Sequence, residues 1–132
     1  MITGVHALVY ADDADAARAF FRDVLEFPYV DAHGGWLIFR TGPSELGVHP
    51  TSGGAGGEDE GGEGPGWRTG PHHEITLTCD DIRATVAELE ARGAEFTQEI
   101  KEQGFGLTAM LKVPGAGDVM LYEPRHAVAF DA

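Results

Sequence analysis

Basic side chains are scarce in this chain of 132 residues, where nine Lys and Arg stand against 22 Asp and Glu, for a formal charge of −13. A surface of that sign repels a phosphate backbone or an anionic bilayer, which argues against nucleic acid and membrane as partners. Cysteine is almost absent, and the single Cys79 has no second thiol with which to close an internal disulfide. No apolar run approaches the roughly 20 residues that a membrane-spanning helix needs. The opening Met1-Ile2-Thr3-Gly4-Val5-His6 has neither the basic start nor the apolar stretch of a secretory signal. These features together predict a reducing, cytoplasmic setting. The length predicts one domain, able to bury roughly two thirds of the surface its unfolded form exposes.

What is present repeats itself. Val5, Ala7 and Val9 alternate with His6, Leu8 and Tyr10, then Asp12-Asp13 leads into a helical pattern running to Phe27. From His73 to Phe96 the order recurs: Ile75, Leu77 and Cys79 alternate with Glu74, Thr76 and Thr78, then Asp80-Asp81 opens a second helical pattern. The offset is 68 positions, taking His6 to Glu74 and Asp13 to Asp81. An Asp at a helix start accepts hydrogen bonds from free backbone N–H groups and suits the positive end of the helix dipole. Ala17, Phe20, Phe21, Val24 and Leu25 form one broad apolar face, while Ile82, Val86 and Leu89 form a narrower one that Gly93 ends. Both helices are expected to lie on a sheet.

Each half then offers further strands. In the first these are Trp36 to Arg40 and Glu45 to His49, joined through Thr41-Gly42-Pro43-Ser44. In the second they are Leu107 to Val113 and Asp118 to Tyr122, joined through Pro114-Gly115-Ala116-Gly117. A short strand after each helix, Tyr29 to Ala32 and Glu95 to Glu99, completes a β-α-β-β-β order in each half. The predicted architecture is α+β, with two such repeats over residues 1–52 and 71–132. Between them, residues 53–70 begin with a stretch, Gly53 to Gly66, in which eight of fourteen residues are Gly and four are acidic. That composition predicts a mobile loop, and its acids do not have the spacing of a calcium loop.

Alternation also says which side chains leave the helix side of the sheet. His6, Tyr10, Glu74, Thr76 and Thr78 fall on the open face, and so do Glu45, Gly47, His49, Asp118, Met120 and Tyr122. A polar set drawn from both repeats onto one concave face is the kind of arrangement a small-molecule site uses. Trp36, Arg40, Met110, Met120 and Tyr122 are candidate ligand-binding residues. Cys79 falls on the helix side, where a buried, inert thiol is expected.

The two β-α-β-β-β repeats, the His on the first strand and the endings Gly47-Val48-His49-Pro50 and Leu121-Tyr122-Glu123-Pro124 resemble the vicinal oxygen chelate superfamily of glyoxalases, bleomycin resistance proteins and extradiol dioxygenases. The segment Ala19-Phe20-Phe21-Arg22-Asp23-Val24-Leu25-Glu26-Phe27 is similar to that family's first helix, with Glu26 where a Gly is usual. The resemblance implies a curved mixed sheet with its helices on the outer face and a homodimer in which repeats from two chains complete each pocket.

It also implies a divalent metal, Fe, Mn, Ni or Zn, held by first-strand and last-strand side chains of each repeat. The first-strand positions fall on His6 and Glu74, and the last-strand positions on Gly47 and Met120, which supply no hard oxygen ligand. His49 shares a face with Gly47 but lies roughly 6.6 Å further along the strand, a shift that only a bulge or a different register would absorb. With that shift, His6, His49 and Glu74 would make a two-His, one-carboxylate set. Two functions therefore stay open. One is a metal-dependent lyase, isomerase or dioxygenase acting on a small oxygenated substrate, with Glu74 moving protons. The other is a metal-free protein of the bleomycin resistance kind that sequesters a small ligand.

Overall fold

A computed structural model describes Met1 and residues 4–50 and 71–131. Asp13 and Asp81 start the two helices as their spacing requires. Asp13 caps α1 (Ala14–Asp23) by accepting from Ala16 N at 3.0 Å, and Asp81 caps α2 (Ile82–Ala91) by accepting from Ala84 N at 3.1 Å. The two accepting atoms and the two donors are each 68 positions apart, so the sequence repeat is also a repeat of local hydrogen bonding.

The helices end differently. α2 stops at Gly93, whose φ of 93° lets Ala94 N–H turn back to Leu89 O at 2.9 Å. α1 stops at Glu26, a non-glycine residue at φ 58°, after a widened last turn in which Val24 and Leu25 both donate to Phe20 O. Arg92, at the end of α2, donates through Nη1 to Val24 O at 2.9 Å, so one helix terminus satisfies an open carbonyl of the other. The same guanidinium pairs with Glu88 at 2.7 Å.

The strands fall into two sheets. A two-stranded antiparallel sheet joins β1 (Tyr29–Asp31) to β2 (Leu37–Phe39). A four-stranded sheet has the order β3-β6-β5-β4, from β3 (Thr76–Thr78), β4 (Phe96–Gln103), β5 (Gly106–Leu111) and β6 (Val119–Pro124). β3 runs parallel to β6, the other pairs are antiparallel, and β4 carries two register shifts between Phe96 and Lys101. The chain thus has the expected mixed α+β architecture, with two helices each followed by strands.

Two of the expected strands do not form. Among the described residues, neither 4–11 nor 45–50 carries a ladder. Their apolar side chains stand in solvent, with Val5, Leu8, Leu46 and Val48 between 56% and 94% exposed. An alternating pattern specifies a strand only where one face finds a surface to bury against, and Val5, Leu8, Leu46 and Val48 stay exposed among the described residues. β4, by contrast, extends to Gln103, four residues past its expected end, because it pairs with β5 through the tight connection at Gly104-Phe105. The expected loop at 53–70 lies outside the described residues.

The chain divides into two compact units, one of Met1–Ser44 with Ile75–Ala132 and the other Glu45–Glu74. The first holds both helices and both sheets. Its core joins Ala17 and Phe20 of α1 and Leu89 of α2 to Leu111, Val113 and Val119. A second cluster places Ile82 on Ala109 and Leu121, with Cys79 packed at its edge, and burial pushes the Cys79 thiol above its ordinary pKa. Glu123 ties α2 to β6 by accepting from Ile82 N at 2.8 Å. Gly115, at φ 78°, brings its carbonyl within 3.0 Å of Asp13 N, and a Cβ there would overlap the Asp13 backbone. The second unit has no helix or strand among its described residues, and no described helix is long and apolar enough to cross a membrane.

Candidate functional site

Register sorts the four-stranded sheet into rows. Leu77, Leu121 and Ala109 are paired neighbours, as are Val119, Leu111 and Phe96, and these rows belong to the two apolar clusters. The intervening rows therefore occupy the opposite face. One runs Thr76, Met120, Met110, Gln98 across β3, β6, β5 and β4. The next runs Thr78, Tyr122, Thr108, Lys101. With strands about 4.8 Å apart, the face is roughly 14 Å from edge to edge.

Its centre is apolar and soft. Met110 and Met120 are direct cross-strand partners, both half-buried, so their thioethers share the middle of the sheet. Hydroxyls of Thr76 and Thr78 line one edge, with Gln98 and Lys101 at the other. Lys101, an exposed residue of the edge strand, is the only charged side chain paired into the two rows. Thr108 is 3% exposed and its Oγ1 accepts from Gln103 Nε2 at 3.4 Å.

One end of the face is closed by aromatics. The Tyr122 ring lies over Gly106, where an added Cβ would come within 2.6 Å of Tyr122 Cε1, and its hydroxyl donates to Phe105 O at 3.1 Å. The Phe105 ring meets the Tyr122 ring edge-on at 5.6 Å, and the His126 ring lies 5.7 Å from the Tyr122 ring at a tilt. Glycine is required at 106 because this ring and the Glu123 carbonyl occupy the space a side chain would need.

Of the residues singled out from sequence, this face gathers Met110, Met120 and Tyr122. Trp36 and Arg40 stand instead beside the two-stranded sheet. The Arg18 guanidinium lies 5.3 Å from the Trp36 ring centre, and Arg40 N donates to Pro28 O at 2.8 Å. Arg40 helps line a hollow of about 330 Å³ with Pro28, Tyr29, Val30, Ile38 and Phe39.

His6 is exposed in the stretch without a strand, and His49 and Glu74 belong to the second unit. There His49 Nδ1 lies 2.8 Å from Pro50 O, and Glu74 Oε2 lies 3.0 Å from His72 Nε2. Among the described residues no group of three or more His, Cys, Asp or Glu is arranged to hold a metal ion.

Sequence reasoning missed Thr108, Gln98, Lys101 and Gly106. Alternation along Leu107 to Val113 would have delivered Thr108 together with Met110. Nothing in the sequence marks Gln98 or Lys101, because two register shifts in β4 decide which of its residues reach this face.

A family model described as the Glyoxalase/Bleomycin resistance protein/Dioxygenase superfamily matches residues 4–125. Among solved structures, an antibiotic-binding protein from a Streptomyces species, TnmS3, is 21% identical with a TM-score of 0.59, over 93% of this chain and 97% of that one. A superfamily member from Sphaerobacter thermophilus is 21% identical with a TM-score of 0.58, over 92% and 97%. A lactoylglutathione lyase from Agrobacterium tumefaciens is 22% identical with a TM-score of 0.55, over 91% and 92%. At these identities the likeness speaks for the fold alone. No curated protein gives a significant match.

Proposed function

The chain belongs to the Glyoxalase/Bleomycin resistance protein/Dioxygenase superfamily, and from that premise we propose that it binds a small organic molecule on the open face of its four-stranded sheet without a metal ion. The observation that carries this reading is the direct pairing of Met120 with Met110 at the centre of that face. Met120 stands where the family resemblance puts a last-strand ligand, often a Glu. A thioether is a poor donor to Fe, Mn, Ni or Zn, which prefer imidazole or carboxylate oxygen, and Gly47 at the corresponding position of the first repeat has no side chain at all. The same methionines suit an organic ligand, since they add apolar area and adapt to its outline. The description of TnmS3 as an antibiotic-binding protein agrees with a binding role on this fold.

In this reading the repeats at 1–52 and 71–132 and the loop at 53–70 make one domain, which works as a homodimer in the cytoplasm. Tyr122 closes one end of the binding face, and Trp36 and Arg40 serve the binding of the ligand from the first repeat. Light scattering at micromolar concentration tests the dimer.

The competing reading is a metal-dependent lyase or dioxygenase in which His6, His49 and Glu74 hold the ion. Its support is that His6 and Glu74 occupy the family's first-strand positions. Thermal-shift screening of a small-molecule library, run once with excess EDTA and once with Mn, Fe, Ni and Zn, separates the two. Stabilisation that survives the chelator is the expected result. Stabilisation only by metal, with about one equivalent retained on dialysis, would overturn the proposal.

A further inference from the structure

We infer that Met110 and Met120 form a paired, reversible oxidation site, at which peroxide turns the middle of the open face from apolar to polar and leaves the fold in place. The oxidation depends only on the geometry of the face; its effect on a ligand rests on the binding role proposed above. The two side chains are direct cross-strand partners and both are half-buried, so their Cβ atoms stand about 5 Å apart and a small oxidant can reach both sulfurs. Peroxide gives one oxygen atom to a sulfur lone pair. An S–O bond forms, the O–O bond breaks, and the departing hydroxide takes up a proton and leaves as water. Sulfur loses two electrons and the peroxide gains them. The product is a sulfoxide, which is polar and accepts hydrogen bonds.

The row in which they stand sets these two apart from core methionines. Thr76 lies beside Met120 and Gln98 beside Met110, in the order Thr76, Met120, Met110, Gln98 across the sheet. Each sulfur therefore has a hydrogen-bond donor, a hydroxyl or an amide, on the strand next to it, and both donor residues are exposed. A sulfoxide oxygen there escapes the cost of a buried, unpaired acceptor. Asp118, on the same face two residues before Met120, adds no donor, since its carboxylate is itself an acceptor held by Thr97 Oγ1 at 2.8 Å. On the opposite face neither apolar cluster contains a methionine, so the packing of Leu111, Val119 and Leu121 is untouched by the oxidation. Cys79 responds less than the methionines. Thiol oxidation runs through the thiolate, and burial keeps the Cys79 thiol protonated, whereas a thioether reacts without first losing a proton.

The test is treatment with hydrogen peroxide at neutral pH with EDTA present, followed by peptide mass spectrometry, thermal melts and the emission of Nile red, a neutral dye that brightens on apolar surface. Met110 and Met120 are expected to gain one oxygen each, at rates within about tenfold of the fully exposed Met1. Cooperative melting is expected to survive and dye emission to fall at least threefold. The two methionine sulfoxide reductases, one for each sulfoxide epimer, are expected to restore the emission when supplied with dithiothreitol. In the M110L/M120L protein, which keeps side-chain volume and lacks both sulfurs, the dye signal should be unchanged by peroxide. A compound that stabilises the parent in the library screen should lose at least tenfold in affinity on oxidation. If both peptides stay unoxidised once Met1 is fully oxidised, or if oxidation abolishes cooperative melting, the site is overturned. If the dye signal falls as far in M110L/M120L, the change belongs elsewhere on the molecule and the site is again overturned. If the methionines oxidise reversibly while the library compound binds as before, the effect on the face is wrong although the binding role stands. If no compound binds the parent and oxidation runs as expected, the binding role fails and the oxidation site stands.

Discussion

The two halves of this chain begin alike and diverge at their strands. Their helices are capped by Asp13 and Asp81 through the same pair of atoms, with the same donor three residues on. Their last strands share nothing of this kind. Val119 and Leu121 are 7% and 3% exposed within a four-stranded sheet, whereas Leu46 and Val48, in the matching place of the first half, are 83% and 94% exposed. Helix starts are decided within four residues of chain, and the repeat preserved them. Strand formation is decided by what a strand lies against, and among the described residues Val119 to Pro124 pairs on both sides while 45–50 carries no ladder.

The sharpest way to test that contrast is to truncate both last strands. Leu121→Ala is expected to cost about 2 to 5 kcal/mol, because it opens a cavity between Ile82 and Ala109. Val48→Ala is expected to change stability by less than about 0.5 kcal/mol, as for other exposed positions. Urea denaturation of both proteins measures the difference, and a cost above about 1.5 kcal/mol for Val48→Ala would mean that the first half packs its last strand after all.

Gly115→Ala comes next. The added methyl overlaps the Asp13 backbone and also strains a φ of 78°, so a loss of about 1 to 3 kcal/mol is expected, with reduced amide protection at the start of α1 in hydrogen exchange. The helix caps themselves are expected to be equal. Asp13→Ala and Asp81→Ala should each cost about 1 kcal/mol, and a twofold disparity would show that local equivalence is not energetic equivalence. Glu26→Gly is expected to stabilise by about 0.5 to 1 kcal/mol, since it relieves a left-handed non-glycine residue whose pairing with Arg92 is loose, at 3.7 Å.

The smallest effect is a slope at alkaline pH. Burial raises the Cys79 pKa in the folded state, so its contribution is whole below the unfolded thiol pKa and is lost as pH rises through the folded one. Above pH ~8.5 the parent should therefore lose stability faster than Cys79→Ala in thermal melts.

How much of this was legible in the sequence follows the same division. The caps at Asp13 and Asp81, the helix faces of Phe20 and Ile82 and the stop at Gly93 are local signals, and each stands where the pattern puts it. The alternation of Met120 and Tyr122 was legible too, because one face of β6 is buried and fixes the other. The expected strands at Val5 to Tyr10 and Glu45 to His49 were not secured by their pattern, since alternation states which face would be buried and says nothing of whether a partner exists. The site splits likewise. Met110, Met120 and Tyr122 share a face through pairing that periodicity anticipates, whereas Trp36 and Arg40 flank β2 of a separate two-stranded sheet, a division that alternation within one strand does not announce.

The chain has three methionines, and one of them is Met1. Labelling their methyl carbons with ¹³C gives a spectrum in which Met110 and Met120 report on the open face and Met1 serves as a control. Adding a compound that stabilises the protein in the library screen, in the presence of EDTA, is predicted to shift the Met110 and Met120 signals together and leave Met1 in place. Signals for Met110 and Met120 that stay still under this titration while the ligand is bound would contradict the account.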